Sequence, residues 1–197
     1  MSKIDITDRK VSIQLPLSGH SFSAENLPAD LRDGQTPVEA VLPRAKTLLV
    51  PEEEFAAAMT DAYLAAAGMA CRPEERSVYT SSYDGIVAVM AVERAVDDVL
   101  RSAFGERLRY TTPLLTPCSL KRGVVLQRME TLLFARIYDG GLQFAEVLPV
   151  QTEADLRYHL SKLDSIYHIY NMEVRILGRA AGLIDVCKPL FKHLTCE

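Results

Sequence analysis

The chain lacks paired cysteines, long apolar runs and any complete catalytic motif, and each absence narrows what it can be. Cys71, Cys118, Cys187 and Cys196 stand far apart with no Cys-x-x-Cys pair, so they read as reduced, partly buried thiols. Cys187, His193 and Cys196 are three soft ligands interrupted by Pro189, short of the closed set a structural zinc needs. No apolar run approaches the ~18 residues of a membrane-spanning helix. Residues Met1 to Lys10 alternate polar and apolar character without the apolar core of a secretory leader, so the expectation is a soluble, cytoplasmic protein. Ser18 and Ser119 lack a Gly-x-Ser-x-Gly context. Positive charge is also scarce. Lys and Arg number 22 against 26 Asp and Glu, for a formal charge of −4 and a pI near 5.6. A surface of that sign is a poor match for wholesale nucleic-acid binding.

What is present reads as a folded α/β protein. Hydrophobic residues make up 48% of the chain, enough for a substantial core. Two hairpins are expected. One runs from Val11 to Ala24 around Ser18-Gly19, and the other from Leu132 to Val147 around Asp139-Gly140, an Asp-Gly signature between apolar runs. Val38 to Pro43, bounded by prolines, reads as an edge strand, and Asn26 to Pro37 as a loop. Thr47 to Val50 is a strand, after which Pro51 and Glu52 to Glu54 open a helix that Gly68 ends. Val78 to Tyr83 and the apolar Ile86 to Val92 flank Asp84-Gly85. An amphipathic helix follows from Glu93 to Phe104, then a strand from Leu108 to Leu115 and a short helix from Pro117 to Leu126. In the second half, Thr152 caps a helix ending at Asn171, Glu173 to Leu177 is a strand, and Leu183 to Leu194 is a helix bent at Pro189. Alternating strands and helices place the chain in the α/β class with mixed sheets. The expected boundary divides residues 1–125 from 126–197.

The chain resembles a family of uncharacterised bacterial proteins, domain of unknown function 3822. The resemblance rests on Val11 to Phe22, on Leu48-Leu-Val-Pro51 before an acidic helix, and on Ile137 to Gly178 with Asp155-Leu-Arg-Tyr158, Asn171 and Val174-Arg-Ile-Leu-Gly178. It implies an actin-like ATPase fold of two ribonuclease-H-like lobes. Such ATPases hold nucleotide with two phosphate hairpins, in which an acid positions magnesium or water, and with an adenosine loop. Here the first hairpin, Leu15 to His20, has no acid, and Pro16 has no N–H for a phosphate. The second keeps Asp139, Gly140 and Gly141. The adenosine loop would be Leu177 to Gly182, with Gly178 near adenosine and the bulky Arg179 where such ATPases place a glycine pair.

The resulting expectation is a non-catalytic interaction or regulatory module with a protein partner and no cofactor. The alternative is residual binding of ATP with magnesium, by Asp139, Gly140 and Gly141 near the phosphates and Gly178 near adenosine. A third reading starts from Arg101, Arg107, Arg109, Lys121, Arg122 and Arg128, a basic stretch at the expected lobe junction. It would meet RNA or another polyanion, with Arg107 and Arg109 on one strand face. His20, His159 and His168 have no acid at metal-ligand spacing and read as surface or core-edge histidines.

Overall fold

The structure, a computed structural model, describes residues 3–6, 11–15, 34, 36–178 and 181–196. The chain divides into two compact units, Met1–Leu115 and Thr116–Glu197. The boundary expected at 125 falls inside a strand of the second unit.

The first unit holds two sheets. One orders its strands β1 (Lys3–Ile6), β2 (Val11–Gln14), β3 (Val38–Val41) and β7 (Leu108–Thr111). Its first pair is antiparallel and the other two are parallel. The predicted turn at Ser18-Gly19 and most of the loop before Pro37 lie outside the described residues. Both edges of β2 are occupied by β1 and β3. Val38–Val41, paired with β2 on one side and β7 on the other, is not an edge strand but an internal one. Its prolines, Pro37 and Pro43, stand just outside the ladder and remove no donor from it.

The other sheet is antiparallel, with order β4 (Thr47–Pro51), β6 (Ile86–Glu93), β5 (Glu75–Tyr79). As its unbroken apolar run predicts, β6 is covered on both faces, with Val87 to Val92 buried. The turn before it places Asp84 and Gly85 at positive φ, as a two-residue hairpin connection requires.

Helices flank these sheets. The long helix expected after Pro51 is broken. A 3-10 turn at Glu52–Glu54 stops at Phe55, whose backbone is extended, and α1 spans only Thr60–Ala66. The break turns Phe55 into the packing set of Val50, Leu64, Val89 and Ala91. Helix α2, Arg94–Phe104, ends at Gly105 as expected. Its Val96, Leu100 and Phe104 join Ile13, Val38 and Ala40 of one sheet and Val78, Met90 and Val92 of the other in a single core.

The second unit is one sheet ordered β10 (Leu142–Pro149), β9 (Leu132–Asp139), β8 (Arg122–Met129), β11 (Glu173–Ile176), β12 (His193–Cys196). The first three form an antiparallel meander, and β8, β11 and β12 run parallel. One expected helix is a strand here, and another is a helix only in its first part, Leu183 to Cys187. Arg122–Met129 is β8, the middle strand, and the residues after Pro189 lead into β12. Gly123 explains the first correction. Its φ is +146°, and a Cβ there would lie 2.5 Å from the Glu173 carbonyl oxygen, so this glycine marks close strand approach rather than a weak helix.

Helix α3, Glu153–Tyr167, begins with a reciprocal cap. Asp155 N–H donates to Thr152 Oγ1 at 3.2 Å, and Thr152 N–H donates to Asp155 Oδ2 at 2.8 Å. It ends at His168, in the left-handed conformation, rather than at Asn171. Leu156, Leu160 and Leu163 of α3, with Leu183 and Val186 of α4 (Ala181–Cys187), cover Val124, Leu133, Ala135, Ile137 and Val174 of the sheet.

Candidate functional site

The residues expected near phosphates form a hairpin end with its own hydrogen bonds. Asp139 is the last residue of β9, opposite Arg122 on β8, and the two side chains pair at 3.5 Å. The loop comprises three residues, not the two predicted, because Tyr138 pairs with Leu142. Gly140 takes the positive φ that the sequence reading gave to the Asp-Gly pair. Its N–H donates to the Lys121 carbonyl at 3.0 Å, and Asp139 N–H donates to the Gly141 carbonyl at 3.0 Å. Gly178 has a φ of +80° and open space where a Cβ would stand. The loop expected to follow it, Arg179 and Ala180, lies outside the described residues.

The basic stretch is shared between the units. Arg101, Arg107 and Arg109 belong to the first, Lys121, Arg122 and Arg128 to the second. Arg107 and Arg109 do not share a strand face, because Arg107 closes the 3-10 turn Gly105–Arg107 and β7 starts at Leu108. Arg107 packs over Phe104, and Arg128 Nε donates to the Glu130 carbonyl at 3.3 Å. His159 lies 3.0 Å from the Pro149 carbonyl oxygen. Cys187 is buried while His193 and Cys196 are exposed, and burial pushes the Cys187 thiol up to about 12. Among the described residues no group of three His, Cys, Asp or Glu could hold a metal.

A concavity lies elsewhere, within the first unit. The two sheets of that unit meet edge to edge, joined by one parallel bridge between Thr80 and Tyr110. Beside this bridge the free edges of β5 and β7 leave a pocket of about 460 Å³, within the usual ~300–1,000 Å³ of small-molecule sites. Thr60 of α1 and Arg101 of α2 line it together with residues of both strands.

Behind Arg101 stands Asp97, with no exposed surface. Its Oδ2 accepts from Arg101 Nε at 2.8 Å and pairs with Arg76 at 2.9 Å, and its Oδ1 accepts a short hydrogen bond from the Tyr110 hydroxyl. Burial and that hydrogen bond push the Tyr110 phenol well above its ordinary range, so it keeps its proton. Three donors on one buried carboxylate fix the Arg101 side chain in place. The sequence reading missed Asp97 because it sits between Val96 and Leu100 on the apolar side of α2. The signal was the i, i+4 spacing of Asp97 and Arg101.

The comparisons with known proteins define a class of fold. The chain is similar to a Bacteroides thetaiotaomicron protein of actin-like ATPase fold and unknown function, at TM-score 0.74 and 11% identity, over 98% of this chain and 94% of that one. The chain has that fold. It is also similar at TM-score 0.40 and 16% identity, over 84% of this chain and 66% of that one, to the cytoplasmic domain of EpsL, an inner membrane component of the Vibrio cholerae type II secretion system. No family model matches the chain, the uncharacterised family named above included, and no curated protein does. No helix among the described residues is long and apolar enough to cross a membrane.

Proposed function

We propose that this chain is a cytoplasmic, non-catalytic interaction or regulatory module built on the actin-like ATPase fold, acting on a protein partner. One observation carries the reading: the polar groups of the second hairpin's turn are taken up by the neighbouring chain before and at the start of β8. The Gly140 N–H, which an ATPase of this kind would turn toward a phosphate, is bonded to the Lys121 carbonyl, and the Asp139 carboxylate faces Arg122. The order of strands in the second unit, a three-strand meander followed by two parallel strands, supports reading that unit as a ribonuclease-H-like lobe.

The test is turnover of ATP with magnesium by the purified chain, followed by a melting scan with nucleotide. A ligand that binds only the native state adds about 2.7 kcal/mol at a hundred times its dissociation constant. The expected result is no hydrolysis and no stabilisation at millimolar ATP. Turnover abolished by Asp139→Ala would establish the ATPase reading instead. The polyanion reading has less support, since Arg122 faces a carboxylate and Arg128 is bonded to the Glu130 carbonyl.

A further inference from the structure

We propose that the pocket between β5 and β7 of the first unit is a binding site for a small phosphate monoester carrying a planar group. The site lies wholly within Met1–Leu115 and shares no residue with the second hairpin, so it stands or falls apart from the reading above.

The charge of the lining is the first argument. The chain carries more acids than bases, yet the pocket is lined by two arginines, Arg101 and Arg109, and by no Asp or Glu. The carboxylate nearest in the network, Asp97, is buried behind Arg101 and already holds three donors. Arg101 gives Asp97 its Nε and stacks over the Tyr110 ring, 5.8 Å from its centroid. Among the described residues no acceptor meets its two terminal nitrogens, and more than half of its side chain is exposed. The guanidinium is thus anchored on one edge and open on the other, the arrangement suited to a forked contact with oxyanions.

The second argument is donor density. Tyr79, Thr80 and Ser81 follow one another along the lining. The Thr80 hydroxyl oxygen accepts from the Ala88 N–H at 3.0 Å, which leaves its proton to donate. The Tyr79 and Ser81 hydroxyls make no hydrogen bond among the described residues, and Tyr79 interacts electrostatically with Arg101. A tetrahedral anion with three terminal oxygens can use several donors along one lining, whereas a planar carboxylate is satisfied by one guanidinium fork.

The third argument is the rim. Tyr79 is 45% exposed, and its ring stands 5.1 Å from that of Phe55. Exposed aromatic surface beside a cationic, hydroxyl-lined pocket offers a stacking platform for a planar group esterified to the phosphate.

The test uses the full chain and two probes, phenyl phosphate and inorganic phosphate, titrated by calorimetry. Phenyl phosphate is expected to bind saturably below about 1 mM, more tightly than inorganic phosphate by about tenfold. Arg109→Glu, an exposed change that leaves Asp97 and its donors intact, should weaken it by at least about tenfold. Tyr79→Leu should remove the preference for phenyl phosphate, whereas Tyr79→Phe, which keeps the ring, should retain it. Arg122→Glu, an equal charge change in the other unit, should leave both unchanged. No binding of either probe at about 10 mM, equal affinity for the two, or an equal loss in Arg122→Glu and Arg109→Glu would each overturn the proposal.

Discussion

Glu75, on β5, carries three donors on a side chain that is 8% exposed. Lys46 Nζ and the Arg72 N–H reach its Oε2 at 2.7 and 2.8 Å, and the Arg72 guanidinium reaches Oε1 at 3.0 Å. Burial alone would raise this carboxyl, but the Arg72 N–H and the two cations outweigh it and hold the group down to about 2. A carboxyl depressed in the folded state contributes stability that is fully present above its unfolded value near ~4.3 and disappears as pH falls toward 2. Urea denaturation of the parent between pH 6 and pH 2.5 should therefore show a loss that Glu75→Gln largely lacks. At pH 7 that variant should be less stable by about 2–4 kcal/mol. None of this was legible in the sequence, where Glu74-Glu75-Arg76 is one more charged triplet. Three donors, two from Arg72 and one from the distant Lys46, make the difference. Asp97 repeats the lesson on α2, where a buried acid occupies a helical position that periodicity assigns to the core.

Elements with a local signature were the ones the sequence could place. Asp84-Gly85 and the Thr152 cap are decided within four residues, and both stand where expected. The failures share another cause, because tertiary pairing overrode local preference. Val38–Val41 looked like an edge because of its flanking prolines, yet its neighbours β2 and β7 come from distant parts of the chain. The segment from Pro117 to Leu126 looked like a weak helix because Gly123 interrupts it. In the structure that glycine admits β11 alongside β8. Gly123→Ala would bring its Cβ to 2.5 Å from the Glu173 carbonyl oxygen and 2.7 Å from Leu120 Cδ2, at a φ that L-residues avoid. The expected cost is about 2–4 kcal/mol, measured by urea denaturation. Loss of amide-exchange protection should centre on Val174 to Ile176. The second hairpin was half legible. Its strands and its left-handed Gly140 were found, but the loop holds three residues rather than two, and the Gly140 N–H is bonded to the Lys121 carbonyl.

At the scale of the molecule, the two units differ in how far along the chain their strand partners lie. In the second unit the meander β8–β9–β10 joins neighbours through short turns, Glu130-Thr131 and Asp139 to Gly141. In the first, Val38 must find Leu108, with β4, β5, β6 and two helices formed in between. Closing a long loop costs entropy before the pairing returns any stabilisation, so sheets built on distant partners form slowly. The order of folding is thus expected to run against the order of synthesis. Pulse-labelled hydrogen exchange during refolding should protect the amides of Val124 to Ile137 before those of Val38–Val41. The reverse order would show that β3 and β7 are held together early by some contact other than their own ladder. In a chain emerging from the ribosome, β3 has no β7 to pair with until residue 111 is free of the exit tunnel. Until then it offers a bare apolar edge, and a nascent chain stalled before that point would be a substrate for chaperones.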